Sequence, residues 1–154
     1  AQRVRQARVS VAGEVVGAID RGLLVFVGVE QGDTDADADA TAKKLAGLRV
    51  FAGRTPMDLT VHDVQGGFLV ISQFTLAAEL RHGNRPDFTA AAEPALASPL
   101  YQHVADQLAA AGQRVATGRF GAVMEVESCN DGPVSLILTV RGGKVVARKD
   151  PRTT

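Results

Sequence analysis

The chain has no tryptophan, one tyrosine and one cysteine, Cys129, among 154 residues. A single thiol excludes an intrachain disulfide framework and fits a reducing compartment. No sign of charge predominates: seventeen basic side chains balance seventeen acidic ones. That excludes a strongly basic nucleic-acid coat and leaves a local patch around Arg81, His82 and Arg85 for any RNA contact. Long apolar runs are also missing. The longest, residues 23–29, is far too short to cross a bilayer. Residues 1–8 mix charged and polar side chains without the apolar centre of a signal peptide, so a soluble cytoplasmic protein without membrane contact is expected. His62, His82 and His103 show no ligand spacing with cysteine or carboxylates and the HExxH pattern is absent, so no metal is assigned. There is no glycine-rich phosphate loop either, since Gly66-Gly67 and Gly142-Gly143 read as turns; no cofactor is expected.

What is present is enough for one compact domain over 1–154. At 45% hydrophobic, a chain of this length buries about two thirds of the surface its unfolded form exposes. Val9, Val11, Val15 and Ile19 alternate around Ala12-Gly13 and predict a hairpin, and Leu23-Leu24-Val25-Phe26-Val27 reads as a strand covered on both faces. Thr34 reads as an N-cap, with Asp35 and Asp37 in the first turn. Ala38, Thr41, Ala42, Leu45 and Leu48 then recur at helical spacing, predicting a helix to about Val50. Gly66-Gly67 launches a strand through Phe68-Leu69-Val70-Ile71, followed by a polar loop over 78–87. A second helix is expected from Ser98, with Pro99 at its first position, to Ala111, where Gly112 stops it. Further strands are expected near 114–117, 123–127, 134–140 and 145–147. Strands with two isolated helices, rather than strict alternation, favour an α+β fold.

Two segments carry the chemistry. Ser72-Gln73-Phe74-Thr75-Leu76 continues a buried strand, so its polar and aromatic groups emerge at a strand end, where loops host function. Backbone N–H groups of Phe74 and Thr75, the hydroxyls of Ser72 and Thr75 and the Gln73 amide are candidate donors to a developing oxyanion, and Phe74 could hold a flat or apolar ligand group. Equally, Ser and Thr at strand ends commonly satisfy local backbone groups. Thr75 is the obvious nucleophile, yet no His, Asp or Lys lies in the motif to activate it. The second segment, Asn130-Asp131-Gly132-Pro133-Val134-Ser135, reads by composition as a plain turn. Cys129 beside it reads as a small buried apolar group.

These segments resemble the signatures Ser-Gln-Phe-Thr-Leu and Asn-Gly/Asp-Gly-Pro-Val-Thr of the D-aminoacyl-tRNA deacylase (D-tyrosyl-tRNA deacylase) family. Gln2-Arg3-Val4 and Thr117-Gly118-Arg119-Phe120-Gly121-Ala122-Val123-Met124 match two further family segments, and Ser135 replaces the usual threonine while keeping a hydroxyl. The resemblance implies a strongly curved, barrel-like β structure with two helices that works as a homodimer. It also implies hydrolysis of the ester of D-aminoacyl-tRNA, and of mischarged glycyl-tRNA. Catalysis in the family rests mainly on orienting the ester, with help from the terminal ribose 2′-hydroxyl. Ser72, Gln73, Phe74 and Thr75 would form the catalytic site. Gly132 and a cis Pro133 would enter the partner's pocket and wall off L side chains, braced by Arg3. Phe120 and Met124 would line the pocket for the terminal adenosine, Phe120 by stacking, although core packing is the stronger expectation for Met124. Because this chain begins a few residues later than family members do, a shortened first strand and a less well anchored Arg3 are expected.

Three readings follow. The leading one is a chiral-proofreading ester hydrolase whose partners are the aminoacylated tRNA 3′ end and a second copy of the chain, with no role for DNA. The second is a non-catalytic tRNA 3′-end binding module. The third, a small-molecule esterase or thioesterase, needs a nucleophile and base that the sequence does not offer.

Overall fold

The computed structural model describes residues 1–147. Strands β1 (Gln2–Val11) and β2 (Glu14–Ile19) form the expected hairpin. Ala12 and Gly13 both take positive φ, 49° and 82°, the mirror-image turn that matches strand twist. Strands β3 (Gly22–Val27), β4 (Gly67–Ser72) and β5 (Arg114–Thr117) run parallel. Parallel neighbours need long crossovers, and these carry helix α1 (Asp35–Gly47) and helix α2 (Pro94–Ala110). Strand β6 (Glu125–Ser135) pairs with β1, off a sheet of order β2-β1-β3-β4-β5. The short strands β7 (Val140–Arg141) and β8 (Lys144–Val145) make a separate hairpin. The sheet curls until its ends meet: a Cβ on Gly17 of β2 would overlap the carbonyl oxygen of Thr117 in β5. The result is the α+β, nearly closed barrel with two helices that the resemblance implied.

Strands β3 and β4 are buried on both faces because alternate residues serve different cores. Leu24, Leu69 and Ile71 join Val4, Ala7 and Val9 in one cluster, with Val16 of β2 and Ala116 of β5 packed against it. Leu23, Val25, Phe68 and Val70 meet Ala38, Ala42 and Leu45 of α1 and Leu100, Val104 and Leu108 of α2 in the other. Each fully buried Val, Leu, Ile or Phe among them contributes about 1.5–3 kcal/mol by leaving water. The buried face of α1 is the one read from the periodicity, and Ala111, at the expected end of the second helix, is exposed.

Boundaries differ where tertiary contacts outweigh local signals. Helix α1 stops at Gly47, not near Val50, because Leu48 turns to extended backbone and the buried pair Val50-Phe51 bonds to Leu59 instead. Helix α2 begins at Pro94 with Glu93 as N-cap, one turn before the Ser98-Pro99 start expected. Pro94 suits the first helical position as well as Pro99 would, and the earlier start buries Ala97. Pro99 therefore lies inside the helix. The strands expected over 123–127 and 134–140 are largely one strand, β6. The Asp-Gly-Pro string bulges within it rather than ending it, since β1 offers ten residues of partner edge. Residues 136–139 lie outside any strand, and the last strand is Lys144–Val145 rather than 145–147. Cys129, expected to be buried, is exposed on β6.

Asp37 is the buried charged residue of the described chain. Its Oδ2 accepts the N–H of Thr34 at 2.9 Å and the Thr34 hydroxyl at 3.1 Å, and its Oδ1 accepts the N–H of Gly143 at 2.8 Å. One carboxylate thus caps α1 and ties the β7–β8 hairpin to it. The Gly143 N–H, then those of Thr34, hold its carboxyl below the usual aspartate range. A depressed folded-state pKa contributes stability above the unfolded value of about 3.9 and loses it as pH falls through the folded value. In Asp37→Asn the amide nitrogen faces an N–H donor, so the variant should be about 1–3 kcal/mol less stable at neutral pH. Urea unfolding across pH tests this: the gap should close below about pH 4, and a gap independent of pH would count against the capping role.

Candidate active site

Parallel strands deliver their carbonyl ends to one pole, and there the first motif sits. Val27 is paired beside Ser72 and Val70 beside Thr117, so the segments that continue β4 and β5 start next to each other. Gln73 donates its N–H to Val27 O at 2.8 Å, which fixes the exit of β4. The chain then winds into a 3-10 turn, Phe74–Ala77, that the sequence reading took as loop. The first N–H groups of any helix have no partner within it. Among the described residues, those of Phe74 and Thr75 donate to no protein acceptor. Phe74, Thr75 and Leu76 are exposed. The Gln73 carboxamide donates to the Thr75 hydroxyl oxygen, so that oxygen is an acceptor already in use. Among the described residues, no charged side chain bonds to it.

The turn can sit this low because of Gly28. A Cβ there would lie 2.9 Å from Leu76 Cβ and 3.2 Å from Gln73 O, closer than packed atoms tolerate. Phe88 meets Phe74 edge to face with centroids 5.1 Å apart. Neither Gly28 nor Phe88 stood out in the sequence, for the contact spans fourteen residues and follows no periodicity.

Beyond β5, Gly118 bonds to Val70 O at 3.2 Å and its missing side chain admits Met124, whose sulfur would stand 2.7 Å from a Cβ at that position. Met124 packs against the barrel cluster, as the core expectation had it. Phe120 packs against the helix-side core, partly exposed, above Tyr101 at 6.1 Å between centroids. Tyr101, the chain's one tyrosine, bonds to Val70 O at 3.1 Å. Burial pushes its hydroxyl above the usual tyrosine range, opposed by hydrogen bonds from Thr117 and Gly118. It is a support that sequence reading missed.

Gly132 and Pro133 lie elsewhere. Between Gln2 and Val4 of β1, the paired residues of β6 step from Ser135 to Asn130, so three more residues are accommodated on β6 than on β1. The excess bulges out with Gly132 at φ 121° and a cis peptide bond to Pro133, both residues exposed. Arg3 is firmly anchored, contrary to the expectation from the short start. Its side chain is 14% exposed. Its Nε donates to Asp131 O at 3.0 Å and its Nη1 to Val50 O at 2.5 Å. Any Cβ on Gly132 would lie 2.8 Å from the guanidinium. Arg3 pairs with Leu23, whereas Ser72 lies beside Val27; four residues of strand place the two motifs about 13 Å apart along β3. Within one chain the turn of Phe74 and Thr75 and the Gly132-Pro133 bulge are not brought together.

No group of three or more metal-ligating side chains occurs among the described residues. No helix among them is long and apolar enough to cross a membrane.

Comparison with known proteins agrees with this architecture. A D-aminoacyl-tRNA deacylase of Pseudomonas putida strain F1 is 53% identical over 140 residues, 90% of this chain and 97% of the relative. One of Acidovorax ebreus is 50% identical over 148 residues, 92% and 97% of the two chains. Among solved structures, the c-Myc DNA unwinding element binding protein superposes with a TM-score of 0.80 at 38% identity, covering 86% of this chain and 91% of that one. A probable eukaryotic D-amino acid tRNA deacylase superposes at 0.73 with 16% identity, a likeness of fold, over 86% and 92%. The family profile described as D-Tyr-tRNA(Tyr) deacylase matches residues 1–139, and the chain belongs to that family of enzymes.

Proposed function

We propose that the chain hydrolyses the ester linking a D-amino acid, or a mischarged glycine, to the 3′ end of tRNA, and that it does so by orientation rather than by a covalent step. The observation that carries this reading is the pair of unbonded N–H groups at Phe74 and Thr75, held at a strand end by Gln73. Water adds to the ester carbonyl, and the oxygen that becomes negative is received by these two donors. The carbon–oxygen bond to the ribose then breaks and the ribose oxygen takes up a proton. Removal of one donor from such a position, a side-chain amide in a serine protease, costs about 2.7–4 kcal/mol. Thr75 has no base beside it and its oxygen already accepts a bond, so it orients rather than attacks. Ser72 adds a hydroxyl at the end of β4. Phe120, partly exposed and backed by Tyr101, receives the terminal adenine, with Met124 beneath the same segment.

Chiral selection falls to Gly132 and Pro133 of a second copy of the chain. Their distance from Thr75 within one chain, their exposure and the anchoring by Arg3 all support a rigid element offered outward to a partner. Main-chain oxygens of such an element would collide with an L side chain and clear a D one. Glycine, with nothing to collide, is accepted. The homodimer is part of this proposal, since the site is incomplete without it.

Single-turnover hydrolysis of D-tyrosyl-, L-tyrosyl- and glycyl-tRNA without added metal tests the whole. The D and glycyl esters should be lost rapidly and the L ester spared; binding without hydrolysis would make the chain a 3′-end binding module. Thr75→Ala should keep its single-turnover rate within about tenfold of the parent, the range of one neutral hydrogen bond, whereas a loss of several orders of magnitude would restore a covalent role. Arg3→Ala releases the Asp131 and Val50 carbonyls and should lower the ratio of D to L turnover while the D rate falls less. An unchanged ratio would remove Arg3 from chiral selection.

A further inference from the structure

After the 3-10 turn the chain rises into a narrow loop closed by two reciprocal main-chain bonds, Glu79 N–H to Asp87 O at 2.8 Å and Asp87 N–H to Glu79 O at 3.1 Å. Every residue of the tip, 80–88, is exposed. The two carboxylates stand at the base and are both occupied with the loop's own backbone: Glu79 Oε1 accepts the Arg81 N–H at 2.8 Å, and Asp87 Oδ1 accepts the Thr89 N–H at 2.7 Å. Glu79 Oε2 also receives the Arg81 guanidinium, Nε at 2.8 Å and Nη2 at 2.6 Å.

These contacts hold Glu79 at about 2, the Arg81 side chain being the largest cause, so the carboxylate is ionised at physiological pH. The two bonds to Glu79 orient Arg81 while its side chain remains 79% exposed. Arg85 has no ion-pair partner among the described residues. His82 and Asn84 add donors between them. The loop is joined to the candidate site twice, through the chain at Ala77 and Ala78 and through Phe88 set edge to face against Phe74.

We propose that the tip of this loop, through Arg81 and Arg85, is a docking surface for the sugar-phosphate backbone of RNA. The inference rests on the proposed function, which brings a polyanion to the neighbouring turn; the tRNA beyond its esterified end must then pass over adjacent surface. A guanidinium held in place by a carboxylate loses little entropy on meeting a phosphate. On a chain with no net charge, and with Arg81 already facing Glu79, it is Arg85, without an ion-pair partner among the described residues, that supplies the attraction, and binding of this kind weakens steeply with salt.

The test measures binding of uncharged tRNA as a function of salt for the parent and for Arg81→Gln/Arg85→Ala, alongside hydrolysis of 3′-(D-tyrosyl)adenosine, which has no backbone beyond the nucleoside. The double variant should bind tRNA about tenfold more weakly near physiological salt, with a log–log salt slope shallower by about 1–2. Its hydrolysis of the adenosine ester should be unchanged. Unaltered affinity and slope would make the tip a solvated loop, equal loss on the adenosine ester would make it part of the pocket, and an altered oligomeric state would make it a protein interface; each overturns the proposal. A parent that binds tRNA through these arginines yet hydrolyses no ester would instead overturn the deacylase reading and leave the surface standing.

Discussion

Because β3, β4 and β5 run parallel, their carbonyl ends arrive together at one pole, and everything in the candidate site hangs from that alignment. Val27 beside Ser72 gives Gln73 its main-chain anchor. Val70 beside Thr117 starts the segment of Phe120 and Met124 next to it. Antiparallel strands would have sent these motifs to opposite ends. The long crossovers that parallel pairing requires are the two helices, which bury the outer face of the same strands. Site and helix-side core are thus two results of one pairing choice.

The opposite pole shows how one side chain holds a backbone feature in place. Extra length in β6 must leave the ladder, and Arg3 gathers it by holding the carbonyl just before Gly132. Glycine is required there because its φ of 121° excludes side chains and because the guanidinium occupies the space a Cβ would need. A main-chain element shaped this way presents the same surface whatever side chains surround it. Under the proposed function, selection by such a surface depends on shape, not on contacts to any one amino acid.

Charge balance in this chain reflects local use of the acids. Asp33, Asp37, Asp58 and Asp63 each accept a backbone N–H three or four residues earlier, and Glu79 and Asp87 accept ones two residues later. These carboxylates staple turns instead of forming a field. Among the described residues, no carboxylate accepts a bond from the N–H groups of Phe74 and Thr75; one that did would compete with an ester oxygen for them.

Hydrophobic alternation and helical spacing were legible in the sequence because each depends on which way neighbouring residues face, and so the hairpin, the β3 and β4 strands, the N-cap at Thr34 and the buried faces of both helices could be read directly. The motifs Ser72 to Leu76 and Asn130 to Ser135 were legible as strings, and their resemblance to a deacylase family carried the barrel. Ends of elements were not: Val50-Phe51 left the first helix to pair with Leu59, and Pro94 took the place given to Pro99, because burial of Phe51 and Ala97 depends on partners distant in the chain. Nor could spacing show that Asp131-Gly132-Pro133 bulges within one strand, that Arg3 reaches 47 residues to Val50 and 128 to Asp131, or that Gly28 clears room for the turn. Sequence by itself determined the local faces and the chemical groups available. Tertiary structure alone decided which of those groups share a pole, since that follows from strand pairing between segments whose separation in the chain leaves no local trace.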